Sequence, residues 1–187
     1  FVVAYFGILR AGGTVVCYSP LYAEAEILHQ VEDSETRFMV TLDLKVLYPK
    51  MRAVLDKGKV EKLIIGNLPE VLPFPKNLLY PLAKAKDVAQ VPNDARHLSF
   101  RELLNNSGVH EPATIDPDKD VAVLQYTGGT TGVSKGAMLT HANLYANILQ
   151  AALWFADNEP GAERMLGVLP FFHIFAMTVV MNYSIHI

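Results

Sequence analysis

Short apolar runs that are typical of buried strands alternate with stretches of helical periodicity along residues 1–66. The strand-like runs are TVVCYSP, FMVTL and KLIIGN. Between them, apolar residues recur at helical spacing from Leu21 to Val31, and a second stripe follows Asp43, which we expect to cap its helix. An order of strand, helix, strand, helix, strand predicts an α/β layer with a largely parallel sheet.

The regular alternation stops at residue 67. Five prolines between residues 67 and 98 prevent a long helix or a central strand there. We therefore divide the chain into a first α/β segment at 1–66, a proline-rich insertion and connector at 67–120, and a second α/β segment at 121–187.

The insertion contains one stretch of mixed character, residues 76–86, where three leucines and a tyrosine stand beside three lysines. Two interpretations are open. The stretch either contacts an anionic membrane surface or is a solvated loop that packs its leucines against the domain.

The β-rich run VAVLQYT leads directly into the glycine-rich run GGTTGVSKG. Residues 126–136 include four glycines, four Thr or Ser hydroxyls and the lysine Lys135. Glycines let a backbone wrap a bulky anion, while hydroxyls and an ammonium group add charge-assisted hydrogen bonds. The segment therefore predicts a polyphosphate site, and an unliganded Gly/Thr hairpin is the alternative.

This glycine-rich run differs from two common phosphate-binding loops. A Walker A loop requires a Gly-Lys pair followed by Ser or Thr, but Lys135 stands between Ser134 and Gly136. The spacing G-G-x-x-G is also not G-x-G-x-x-G, and the strand-like GAMLTH follows instead of a helix. A kinase-like NTPase is therefore disfavoured.

The composition excludes several classes of protein. With 51% hydrophobic residues the chain is not disordered, and a net charge of −3 offers no basic face for nucleic acid. The single cysteine cannot form an internal disulfide, which favours a reducing, cytoplasmic setting. Only four charged residues lie between 136 and 187, so we expect this chain to be a piece of a larger protein.

The stretch YTGGTTGVSKGAMLTHANL resembles the phosphate-binding signature of the adenylate-forming acyl-CoA synthetases, and it is most similar to that of the long-chain fatty-acid CoA ligases. GILRAGGTVVCYSPLYAEAEILHQVEDS upstream and LPFFHIFAMT downstream agree in order and spacing. The local departure is Ser134, where many members have proline. The resemblance implies a fragment of the large N-terminal domain, an α/β fold of layered, largely parallel sheets with flanking helices.

The resemblance also implies an activity, the ATP-dependent conversion of a fatty acid to acyl-CoA through an acyl-adenylate. ATP, Mg²⁺ and coenzyme A as co-substrate are the groups it requires. Thr127 matches a threonine that helps to hold the metal. The residues that carry over to ATP binding are Tyr126, Thr127, Gly128, Gly129, Thr130, Thr131, Gly132, Val133, Ser134, Lys135, Gly136 and Ala137.

His173 in PFFHIF is the candidate catalytic residue. The pattern alone is more typical of a buried core histidine. The resemblance instead implies a place in the acyl pocket, where the imidazole orients the reacting carboxylate. Phe171, Phe172, Phe175 and Met177 are then pocket or core residues, and the chain length of the acid, or its alkyl or aryl nature, stays open.

Several functional parts of the family lie beyond this region, among them a metal-binding glutamate and a C-terminal adenylation lysine. We therefore expect little or no ligase activity from residues 1–187 alone. The alternative is a non-catalytic, truncated nucleotide-binding or scaffold remnant that hides its apolar ends in a homo-oligomer. A reading frame continuing past Ile187 favours the enzyme, which we expect in the cytoplasm, with peripheral contact on the inner face of the membrane.

Overall fold

The computed structural model describes residues 1–58, 60–128, 134–155 and 158–187. Its contacts divide the chain into two compact units. The first unit consists of Phe1–Ser19 and Glu111–Ile187, and the second consists of Pro20–His110. This division does not coincide with the three segments predicted from the sequence, 1–66, 67–120 and 121–187. The boundaries of those segments stay a prediction.

Helices and strands alternate along most of the chain. No described helix combines the length and the apolar character needed to cross a bilayer. Two 3-10 helices lie at Leu68–Val71 and Ala85–Asp87, and a π-helical segment at Ala176–Asn182. The other elements are α1 (Val2–Arg10), β1 (Val15–Val16), α2 (Glu24–Asp33), β2 (Phe38–Leu42), α3 (Tyr48–Lys57), β3 (Lys62–Gly66), α4 (Lys76–Ala83), β4 (His97–Ser99), α5 (Phe100–Leu104), β5 (Val121–Thr127), β6 (Lys135–Thr140), α6 (His141–Trp154) and α7 (Tyr183–His186).

The first unit is built around β5, which pairs in parallel with β1 and antiparallel with β6. Its core contains Tyr5, Val123 and Met177, which are at most 2% exposed. Glycine ends the first helix: Gly12 has a φ of +76°, and a Cβ there would lie 2.8 Å from the Cβ of Ala113. Thr140 caps α6, since its hydroxyl accepts from the backbone N–H of Asn143.

The second unit contains three parallel strands in the order β2-β3-β4. The register places Val40 beside Ile64 and Ile64 beside Leu98. Ile27 of α2, Val54 of α3 and Leu63 of β3 are fully buried in its core. The predicted α/β class with largely parallel sheets is confirmed, since β5 and β6 form the one antiparallel pair among the described strands of the two sheets.

The expectation that Asp43 caps the next helix is wrong. α3 begins at Tyr48, and Asp43 instead lies 7% exposed at the end of β2. Its backbone N–H donates to the carbonyl of Gly66 at 3.1 Å, and its carbonyl accepts from Ala89 at 2.7 Å. These bonds hold the Asp43 backbone just beyond the end of β2, and burial raises the pKa of its carboxyl above the ordinary value.

The interpretation of residues 76–86 as a loop that packs its leucines on the domain is also wrong. Residues 76–83 form α4, an eight-residue helix that contains Pro81. Its leucines are solvent-exposed, with Leu78 at 62%, Leu79 at 56% and Leu82 at 82%. The helix is short, as the surrounding prolines require.

A chain of hydrogen bonds fastens β4 to α3. Asp94 Oδ1 lies 2.8 Å from His97 Nδ1, and His97 Nε2 lies 3.0 Å from the Tyr48 hydroxyl. With the proton on Nδ1, the imidazole donates to Asp94 and accepts from Tyr48. The hydrogen bond from His97 lowers the pKa of the Asp94 carboxyl.

Asp94→Asn is expected to lower the free energy of unfolding near neutral pH, because a carboxylate with a depressed pKa stabilises the fold while it is ionised. The deficit should shrink as the pH falls below the ordinary carboxyl pKa of about 3.9 and disappear once the pH is below the lowered pKa of Asp94. Urea denaturation at a series of pH values measures it. Asp118→Asn, at an exposed aspartate, is the control and should show no such trend; a deficit for Asp94→Asn that does not change with pH contradicts the account.

Candidate functional site

The candidate site begins where β5 and β6 end beside the glycine-rich run. Thr127 at the end of β5 pairs with Lys135 at the start of β6. Residues that pair across an antiparallel ladder carry their side chains on the same face, with Cβ atoms about 5 Å apart. The Thr127 and Lys135 side chains therefore leave the same face of the hairpin, and both residues are exposed.

The neighbouring pair, Tyr126 and Gly136, explains one glycine of the run. A Cβ added at Gly136 would lie 3.1 Å from Tyr126 Cζ and 3.2 Å from Cε2, closer than ordinary carbon contacts. The Tyr126 ring, 4% exposed, thus occupies the space that a side chain at 136 would need. Gly136 is required here by close packing and not by a positive φ.

The structure describes only part of the predicted ATP segment. Thr127, Gly128, Ser134 and Lys135 flank the centre of the run, and Ala137 pairs with Gln125 further along β6. Their assignment to ATP stays a prediction. The central five predicted residues lie outside the described residues: Gly129, Thr130, Thr131, Gly132 and Val133.

His173 is exposed and does not lie in the core. Its backbone carbonyl accepts from the N–H of Met177 at 2.9 Å, and its own N–H donates to Pro170 at 3.0 Å. Its ring lies 4.5 Å from that of Phe172, centroid to centroid. Among the predicted pocket or core residues, Met177 is fully buried, while Phe175 is 57% exposed.

Gln125 connects the strand that carries Thr127 to the segment that carries His173. Its Nε2 donates to the carbonyl of Phe172 at 3.2 Å, across 47 residues of sequence. Sequence reasoning missed this residue. The available signal is that Gln125 is the one amide in the strand run VAVLQYT, where a half-buried amide needs a partner.

The Gln125 amide has one further property. Its Oε1 is buried and has no hydrogen-bond partner among the described residues. An amide fixed at Nε2 and unsatisfied at Oε1 is held in place yet retains an acceptor. The Gln125 side chain thus links the strand that carries Thr127 to the segment that carries His173.

The described end of the hairpin fits a magnesium-bound polyphosphate. The Thr127 hydroxyl is an oxygen ligand of the kind that Mg²⁺ prefers, and Lys135 is a cation for phosphate oxygens. The described residues include no group of three or more His, Cys, Asp or Glu that could hold a metal. A magnesium ion at this end would therefore draw on phosphate oxygens for several ligands.

Comparison with known proteins identifies a family over the whole chain. The family described as AMP-binding enzyme matches residues 1–187. A long-chain-fatty-acid–CoA ligase of Bacillus subtilis (strain 168) is 42% identical over 198 aligned positions, which cover 98% of this chain and 33% of that protein. The chain thus spans about a third of the length of the curated relatives it matches.

Solved structures share the fold. The anthranilate CoA ligase AuaEII in complex with anthranoyl-AMP matches with a TM-score of 0.70 at 19% identity, over 97% of this chain and 30% of that one. ATP-bound MatB from Rhodopseudomonas palustris matches with a TM-score of 0.65 at 23% identity, over 98% and 30%.

These identities show the fold alone for the two solved structures, whereas the family match extends from the first residue to the last. It includes both strands of the hairpin, the glycine-rich run between them and the segment around His173. The chain belongs to the AMP-binding enzyme family.

Proposed function

We propose that the protein to which these residues belong is an ATP-dependent fatty-acid CoA ligase. The observation that carries the proposal is the pairing of Thr127 with Lys135 at the glycine-rich end of the β5–β6 hairpin. The name of the Bacillus subtilis relative at 42% identity supports the substrate class.

The proposed chemistry overcomes the poor reactivity of a carboxylate. A carboxylate oxygen attacks the α-phosphorus of ATP, the bond from that phosphorus to the bridging oxygen breaks, and pyrophosphate leaves. The thiol of coenzyme A then attacks the acyl carbon and releases AMP. Activation places a good leaving group on the acyl carbon, which the free acid lacks.

In this proposal Lys135 and Thr127 hold the departing pyrophosphate. Negative charge grows on the leaving oxygens, and a fixed ammonium stabilises it more than it stabilises the ground state. Mg²⁺, when bound, supplies further neutralisation of the phosphate charge. The Thr127 hydroxyl would hold the metal or donate to a phosphate oxygen, and the glycines would admit the backbone to the phosphates.

We assign the acyl end of the reaction to His173. An imidazole N–H can donate to one carboxylate oxygen and so orient the other oxygen toward the α-phosphorus. Gln125 then acts as a positioning residue, because its amide holds the carbonyl of the adjacent Phe172. We further propose that the enzyme works in the cytoplasm, in peripheral contact with the inner face of the membrane.

Lys135→Ala in the protein at its full natural length is expected to slow pyrophosphate release during adenylation roughly ten- to a hundred-fold, because a charge-assisted hydrogen bond is worth about 1.5–3 kcal/mol. A coupled pyrophosphate assay with fatty acid and Mg-ATP measures it. Lys119→Ala, at an 82% exposed lysine side chain, is the control. An unchanged rate for Lys135→Ala rejects the assignment of the run.

Gly136→Ala is expected to lower stability by about 1–3 kcal/mol, because the new methyl group displaces the Tyr126 ring. Gly7→Ala is the matched control. Gly7 lies inside α1 with open space around its Cα, so the same change should raise stability by about 0.5–1 kcal/mol. Thermal unfolding compares the two variants, and a Gly136→Ala protein as stable as the wild type contradicts the packing argument.

A further inference from the structure

Helix α4 of the second unit exposes its apolar side to solvent and turns its more polar side toward the protein. A surface helix normally buries its apolar stripe and exposes its polar side. In α4 the leucines are more than half exposed, whereas Asn77 and Tyr80 are half-buried. We call Leu78, Leu79 and Leu82 the leucine face.

Helical geometry shows that the leucine face is continuous. Successive residues turn roughly 100° about the helix axis, so Leu78 and Leu82 lie one above the other and Leu79 lies beside them. Phe74, one turn before Leu78, is 79% exposed and extends the apolar surface. Asn77 and Tyr80 lie on the opposite side, toward the body of the unit. Contiguous exposed apolar surface of this kind marks an interaction site.

Positive charges predominate in the sequence around the leucine face. Residues 71–86 contain three lysines, Lys76, Lys84 and Lys86, and no acidic residue, although the whole chain has a net charge of −3. A depression beside the helix, lined by Pro81 and Ala85, adds Lys45. The flanking acidic residues are Glu70 and Asp87, and Asp87 lies 3.4 Å from Lys84 in an exposed ion pair, which contributes little.

We propose that the leucine face docks the protein on an anionic lipid surface. The leucines enter the boundary between headgroups and acyl chains, and the flanking lysines pair with lipid phosphates. A short helix with exposed leucines and a lysine rim matches the two attractions that bind interfacial helices, apolar burial and electrostatics. The inference specifies the surface for the membrane contact proposed above, and it does not depend on the ligase reaction.

The test is co-sedimentation of the full-length protein with phosphatidylcholine vesicles that contain or lack phosphatidylglycerol. We expect binding to the anionic vesicles, weakened by salt, and little binding to the neutral ones. Vesicle binding needs no ATP, so it is measured separately from the ligase reaction. An inactive enzyme that binds vesicles still supports the leucine face as the docking surface. An active enzyme that does not bind vesicles overturns the docking proposal and leaves the ligase proposal in place.

The decisive variant is Leu78→Ser with Leu82→Ser, at positions 62% and 82% exposed, where the fold loses little packing. Burying each leucine contributes about 1.5–3 kcal/mol, so the partition coefficient should fall about a hundred-fold or more. Leu21→Ser with Val46→Ser is the matched control in the same unit, at positions 87% and 71% exposed, and should leave binding unchanged.

Replacing each of Lys76, Lys84 and Lys86 by glutamine should weaken anionic-vesicle binding about five-fold per lysine and reduce its salt dependence. Unaltered binding of the double leucine variant overturns the proposal, as does equal binding to neutral vesicles. If the double leucine variant changes oligomer size on gel filtration but still binds vesicles, the leucine face is a self-association surface. This result also overturns the docking proposal.

Discussion

The antiparallel pairing of β5 with β6 determines where the glycine-rich run leaves and re-enters the sheet. β5 is itself held from the other side by β1, and its Ala122 and Val123 are completely buried in the core of the first unit. The strand therefore cannot shift along its partner without exposing apolar side chains. This fixed register pairs Thr127 with Lys135, and it places the Tyr126 ring over Gly136.

The same strand connects the two ends of the proposed reaction. Thr127 lies at its carboxyl end, and Gln125, two residues earlier, holds the carbonyl of Phe172 next to His173. The residue proposed to bind phosphate thus lies on the same strand as the amide that holds the segment of His173, the residue proposed to orient the carboxylate. Sites built on buried strands keep their geometry better than sites on loops, because packing on both sides restrains the backbone.

Much of this arrangement could be predicted from the sequence, because local patterns determine it. The alternation of strand-like and helical stretches predicted the α/β class. A threonine directly before a helical stripe is a typical cap, and in the structure the Thr140 hydroxyl accepts from the backbone N–H of Asn143 at 3.2 Å. Sequence patterns could not reveal contacts between distant residues. The backbone of Asp43 is held beyond the end of β2 by Gly66 and Ala89, and the partner of Gln125 lies 47 residues away.

α4 shows a second limit of sequence reasoning. Its leucines were expected either on a membrane or against the domain, because periodicity predicts which residues share a face but not which face meets the protein. That depends on how Asn77 and Tyr80 pack, which is a tertiary property.

The central claim is that the end of the β5–β6 hairpin holds the leaving phosphates of ATP. A crystal structure of the full-length protein with Mg-ATP tests it most directly. The account predicts β- or γ-phosphate oxygens within hydrogen-bond distance, about 2.7–3.2 Å, of Lys135 Nζ, and phosphate or metal in contact with the Thr127 hydroxyl. Bound ATP whose phosphates contact neither residue would contradict it.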